Sequence, residues 1–219
     1  MDRVHIVGFS ATLSSIAFFL AGIPTCLKIR RQGSTKNVEV FPFIACSVSC
    51  IFWLKYGILQ QDISVTRANV IGLVFQWFYV MVFYMNTLEK SSVHKSFFYA
   101  SCVVFPVLLY IKFFVSDHAS AVSRLGLICS TTSVVTYGSP LASVRQVIKT
   151  KSTESMAFPL CLANFLVAIQ WLYYGHLVMD IYLQVPNFFG SLLGLFQLAF
   201  FVVYPSRQHY DLSTPGTTI

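Results

Sequence analysis

Charge is scarce in this chain. Asp, Glu, Lys and Arg together make up 11% of its 219 residues, 56% are apolar, and mean hydropathy is +0.68. A soluble domain of this length needs far more polar surface, so that class is excluded. The eight acidic residues all stand at loops or helix ends, so no carboxylate is available mid-span to relay protons. The six cysteines (Cys26, Cys46, Cys50, Cys102, Cys129 and Cys161) form no CxxC pair and have no histidine nearby, so they read as buried small side chains, and no metal site is expected. His5, His94, His118, His176 and His209 fall near ends or loops, away from any cluster that catalysis requires, so neither an enzyme nor a cofactor is expected. Also missing are an Asn-x-Ser/Thr acceptor and the charge pattern of a cleaved signal: only Arg3 precedes the first apolar run, and Lys28, Arg30 and Arg31 follow it. That run reads as a retained span.

What the chain has instead is apolar length. Crossing about 30 Å of hydrocarbon takes roughly 20 helical residues. Seven stretches qualify, near 4–27, 41–59, 66–86, 97–115, 122–147, 157–178 and 182–204. The expected fold class is an all-α membrane protein of seven transmembrane helices. Ten basic residues fall on one side (Lys28, Arg30, Arg31, Lys36, Lys90, Lys95, Arg145, Lys149, Lys151 and Arg207) and five on the other (Arg3, Lys55, Arg67, Lys112 and Arg124). Retention of Lys and Arg in the cytosol then orients the N-terminus outside and the C-terminus inside. The net charge of +7 follows this topology, so it does not indicate nucleic acid.

The second half repeats the first at an offset of 118 residues. Ser34 and Thr35 fall opposite Ser152 and Thr153; Trp53, Tyr56, Gly57, Asp62, Asn69 and Gly72 fall opposite Trp171, Tyr174, Gly175, Asp180, Asn187 and Gly190. The first three spans match the last three, with one unmatched span between. The expected organisation is a three-helix bundle over 1–90, a linker helix over 91–118, a second bundle over 119–205 and a short cytosolic tail over 206–219. A single intervening span makes the repeats parallel, related by an axis along the membrane normal, so equivalent polar residues face each other across a central seam.

Asn69 and Asn187 are the conspicuous polar residues within the spans, and facing lipid would be costly for both. An amide offers donor and acceptor together, matching a hydroxyl. Trp53 and Trp171 lie about two turns inside Asp62 and Asp180, where an aromatic face can stack on the C–H face of a sugar ring. Ser49 and Val167, each four residues before its Trp, share that helix face. Pro24, Pro42, Pro140 and Pro159 lie towards the cytoplasmic ends of the first two helices of each unit, beside Gly22 and Gly138, and read as hinges.

These residues resemble the SWEET sugar transporters from about Ala21 to Tyr204. The resemblance rests on Lys149-Thr-Lys-Ser-Thr153 before Phe158-Pro159, Trp171-Leu-Tyr-Tyr-Gly175 with Asp180, Val185-Pro-Asn-Phe188, and Tyr137-Gly-Ser-Pro140. That family is itself a known case of parallel repeats, so the symmetry agrees with the resemblance without establishing it independently. The resemblance implies passive, bidirectional sugar movement by alternating access, with no coupling ion. It implies that Asn69 and Asn187 bind sugar, that Trp53, Trp171, Ser49 and Val167 line the pocket with Val135 below, and that Tyr56 and Asp180 form an outer gate. It implies hinges at Pro42, Pro140 and Pro159; Gly22 occupies the first hinge position, with Pro24 displaced by two residues. Glucose or a similar monosaccharide is the expected substrate, in a plasma, Golgi or other internal membrane, with a homo-oligomer possible. The rival readings are a proton-coupled PQ-loop amino-acid exporter, whose prolines are followed by Gln where this chain has Thr, Phe and Leu, and a seven-helix receptor, which should lack the repeat.

Overall fold

Backbone N–H and C=O groups in lipid must find partners within their own segment, and helices provide them. The computed structural model describes residues 3–154 and 156–204, and among these the chain is helical without a strand. Arg207, His209 and the 206–219 tail lie outside the described residues. Helix α1 (Arg3–Phe19) runs through a 3₁₀ turn (Leu20–Gly22) into α2 (Ile23–Gln32); α3 (Phe41–Leu59) and α4 (Ile63–Asn86) follow, then α5 (Lys90–Phe113). The second half comprises α6 (His118–Thr136), α7 (Gly138–Thr150), α8 (Phe158–Leu177) and α9 (Ile181–Val203).

Among the described residues six helices, counting Arg3–Gln32 as one, are long and apolar enough to cross a membrane. The seventh span is α6 and α7 together, broken at Tyr137 and made less apolar by the hydroxyls of Ser130, Thr131, Thr132 and Ser133. The first helix outruns its apolar stretch, continuing through Lys28, Arg30 and Arg31 until Gly33 closes it at φ 59°, a left-handed cap that glycine adopts without penalty. The linker helix starts earlier than hydropathy suggests because nothing between Lys90 and Ser96 breaks a helix.

Within the first half α1, α2 and α3 pack on α4; within the second α6, α7 and α8 pack on α9. The halves meet along two seams, α1 against α8 and α3 against α6, while α5 covers α3 and touches α6. Helices α2 and α7 pack within their own halves, so the halves are joined at the end that carries the α3–α4 and α8–α9 turns. The opposite end carries the four prolines.

Those two turns share one backbone solution. Asp62 N–H donates to Gly57 O at 2.8 Å and Asp180 N–H to Gly175 O at 2.8 Å; Gln61 and Met179 take left-handed φ of 55° and 56°. Each is a Schellman cap whose last residue is also the N-cap of the next helix. Asp62 Oδ1 accepts from Val65 N–H, and Asp180 Oδ1 from Tyr182 and Leu183 N–H. The turn thereby fixes where each carboxylate points.

The four prolines stand near helix starts. Pro24, Pro42 and Pro159 are the second residues of α2, α3 and α8, and Pro140 is the third of α7. Pro42 and Pro159 begin α3 and α8 after loops, where the missing N–H deprives no carbonyl of its partner, whereas Pro24 and Pro140 stand within three residues after the breaks at Gly22 and Tyr137. The joints are the 3₁₀ turn ending at Gly22 and the break at Tyr137, which stand at equivalent places in the repeat because Phe19 lies opposite Tyr137. A Cβ on Gly22 would sit 2.3 Å from the Tyr79 ring, whose hydroxyl donates to Phe19 O at 2.7 Å. Gly22→Val is expected to force this packing apart, costing about 1–3 kcal/mol and lowering the unfolding midpoint in detergent.

Pro186 does interrupt a helix. It leaves Tyr182 O without an intrahelical donor, and Ser130 Oγ from α6 fills the place at 2.7 Å. In the first half Ala68 stands where Pro186 would be, and Thr12 reaches the matching carbonyl, Ser64 O, only at 3.4 Å. Ser130→Ala is therefore expected to cost about 1–3 kcal/mol, the penalty of an orphaned buried carbonyl. Thr12→Ala should cost distinctly less, and thermal unfolding of the two variants side by side measures the difference.

Candidate functional site

Between the halves lies a cavity of about 250 Å³. Its wall is paired across the repeat: Ser15 with Ser133, Trp53 with Trp171, Val65 with Leu183, and Asn69 with Asn187. Further pairs differ in chemistry: Phe18 with Thr136, Phe19 with Tyr137, Ser49 with Val167, and Ala68 with Pro186. Among the described residues no Asp, Glu, Lys, Arg or His lines it.

Each indole reaches across the seam. Trp53 Nε1 donates to Ser133 Oγ at 3.0 Å and Trp171 Nε1 to Ser15 Oγ at 2.8 Å, so two equivalent bonds tie α3 to α6 and α8 to α1. Asn69 Nδ2 donates to Val65 O at 2.8 Å, and Asn187 Nδ2 to Leu183 O at the same distance. One amide hydrogen is thus committed to the helix backbone. The carbonyl oxygen and the second N–H of each amide remain as an acceptor and a donor in a wall otherwise made of aromatic rings, hydroxyls and small apolar groups.

Beyond the tryptophans, two tyrosine–aspartate bonds join the halves. Tyr56 Oη donates to Asp180 Oδ2 at 2.8 Å, and Tyr174 Oη reaches Asp62 Oδ1 and Oδ2 at 2.9 and 2.8 Å. Tyr56 is 1% exposed and Tyr174 4%. Each tyrosine is braced edge-on by the tryptophan below it, Trp53 at 5.5 Å and Trp171 at 5.4 Å between ring centroids. Such T-shaped pairs are favourable beyond their buried area.

The structure brings together Asn69, Asn187, Trp53, Trp171, Ser49 and Val167 around the cavity, and Tyr56 with Asp180 above it. It does not bring Val135 there. Val135 is 71% exposed, because Ser133, Thr136 and Tyr137 form the cavity face of α6 and Val135 projects from the opposite one. Reasoning from sequence also missed the Asp62–Tyr174 bond, although applying the repeat offset to Tyr56 and Asp180 yields that pair. The serines that receive the indoles carried no signal of their own.

A cavity between two like halves of a multi-pass membrane bundle, largely apolar with a few paired polar groups in its wall, is the construction of a membrane transport protein. Comparison with known proteins agrees. The family model described as "Sugar efflux transporter for intercellular exchange" matches residues 5–91 and again 123–209. Sugar transporter SWEET1 of Drosophila pseudoobscura pseudoobscura is 35% identical over 94% of this chain and 91% of its own length. The Caenorhabditis elegans protein of that name is 35% identical over 94% of this chain and 67% of its own. A solved structure of a eukaryotic SWEET transporter superposes with a TM-score of 0.82 at 27% identity, covering 92% of this chain and 98% of that one. The chain belongs to the SWEET family of sugar transporters, a family of carriers and not of enzymes.

Proposed function

We propose that this protein is a passive, bidirectional uniporter for glucose or a similar monosaccharide, working by alternating access. The observation that carries the reading is the paired wall: two amides and two indoles in equivalent positions around a cavity free of charged side chains. A near-symmetric site offers a neutral polyol similar contacts from either half, and a site without Asp, Glu or His gives a proton nowhere to ride. In this reading Asn69 and Asn187 bond the sugar hydroxyls, Trp53 and Trp171 stack on its ring, and Ser49 and Val167 shape the remaining wall. The bundles span 1–90 and 119–205, the 91–118 helix links them, and the N-terminus lies outside. The Tyr56–Asp180 and Tyr174–Asp62 bonds then form an outer gate, closed here, and the joints at Gly22 and Tyr137 serve the cytosolic end. A plasma-membrane, Golgi or other internal address and assembly into a homo-oligomer are compatible with this reading.

The decisive experiment is counterflow of radiolabelled glucose in proteoliposomes across a pH series. Exchange is expected to stay constant within about twofold from about pH 6 to about pH 7.5, the range in which a histidine-coupled carrier would change most. Cationic amino-acid uptake driven by a proton gradient would replace this reading with the PQ-loop one.

A further inference from the structure

The two-fold pairing of the cavity wall fails at one place. Cys46 and Cys50 line it, whereas the residues at their repeat positions, Asn164 and Ala168, do not. The two thiols stand one turn apart on α3, on one face of the helix. Cys50 is 4% exposed and packs toward Gly72, while Cys46 is half-buried and nearer the proline end. Of the other cysteines, Cys26, Cys129 and Cys161 are buried away from the cavity, and Cys102 is exposed on the linker helix. A thiol is a weak hydrogen-bond donor and offers a sugar hydroxyl little, so the sugar site leaves this pair unexplained.

We propose that Cys46 and Cys50 form a two-thiol site for a soft, monovalent d¹⁰ cation of the copper(I) class inside the transport cavity. Thiolate sulfur selects such ions, and they accept two-coordinate sulfur ligation. The exchange balances without oxidation. One S–H bond breaks, its proton leaves to water, and the cation bonds to the resulting thiolate and to the sulfur of the remaining thiol. Net charge at the site stays zero, which a wall of aromatic and small side chains tolerates far better than a gained charge. Zinc is disfavoured because structural sites need four ligands, and no group of three His, Cys, Asp or Glu occurs among the described residues. An ion held here lies one to two turns from Trp53 and beside Ser49, so its occupancy blocks the pathway. Only the block rests on the sugar-carrier reading; the metal affinity does not depend on what is carried.

Silver(I) nitrate in chloride-free buffer is the probe, because it shares the ligand preference without copper's redox chemistry. X-ray absorption at the silver edge on the purified full chain, loaded with one equivalent, is expected to reveal two sulfur neighbours. Cys46→Ala, a change at the half-buried member that leaves the packed Cys50 in place, should weaken silver binding at least about tenfold, whereas Cys102→Ala should leave it unchanged. In proteoliposomes, silver should inhibit glucose counterflow at the concentrations at which it binds, and Cys46→Ala should raise the half-inhibitory concentration by the same factor. A first shell with fewer than two sulfurs, or binding unaffected by Cys46→Ala, would overturn the site. Binding as expected without inhibition of flux would keep the site and overturn only the block.

Discussion

Asn187→Ala and Asn69→Ala are each expected to lower glucose flux by about a hundredfold, corresponding to about 3 kcal/mol of lost stabilisation, while the protein still folds and reaches the membrane. The argument turns on what each amide does apart from a ligand. Among the described residues its one side-chain bond is from Nδ2 to the carbonyl four residues back, an intrahelical contact that the helix does not need. Alanine is the better helix former, so the substitution should not unwind α4 or α9. What disappears is the acceptor and donor facing the cavity, and a bound hydroxyl is then left unpaired in a dry wall. If the amides only packed, flux would track the amount of folded protein. Measuring counterflow against surface expression and detergent melting separates the two cases, and normal flux in both variants would remove the amides from the binding site.

The second large effect belongs to the closed end. Tyr56→Phe with Tyr174→Phe removes both hydroxyls that cross the seam while keeping the rings against Trp53 and Trp171. A hydrogen bond to a charged group contributes about 1.5–3 kcal/mol, so the pair should shift the balance between closed and open ends by about 3–6 kcal/mol. The expected result is that a maleimide too polar to cross the bilayer, added outside, labels a cysteine introduced at Ser133 more than about tenfold faster than in the parent. Mass spectrometry at that position reads the labelling free of the native thiols. Each single change should give an intermediate rate, since the two bonds are equivalent. Unchanged labelling in the double variant would mean that the apolar seams, and not the phenols, hold this end shut.

The sequence was legible wherever the repeat marked a residue twice. Asn69 with Asn187 and Trp53 with Trp171 could be read because a polar or bulky side chain kept at a fixed offset stands out against apolar filler. The same offset applied to the gate would have supplied Asp62 and Tyr174. Val135 was misplaced for a different reason: around the break at Tyr137, a shift of one residue turns a helical side chain by about 100°, and hydropathy does not register that phase. Pro42 and Pro159 already stand at the starts of the apolar stretches 41–59 and 157–178, and Val40 and Ala157 cap those helices. Ser15 and Ser133 were silent because their importance lies in partners about 156 and 80 residues distant, which only the packing of α1 on α8 and α3 on α6 discloses.

One oxygen of each of Asp62 and Asp180 accepts from peptide N–H at the head of its own helix, a bond that does not cross between the halves. Parting the halves therefore exposes phenol hydroxyls, which water can satisfy at once, and never frays α4 or α9. In the proposed alternating-access cycle the latch would thus be set into a frame that keeps its own helix caps, so repeated cycling need not unravel any secondary structure, although both tyrosines are engaged at rest.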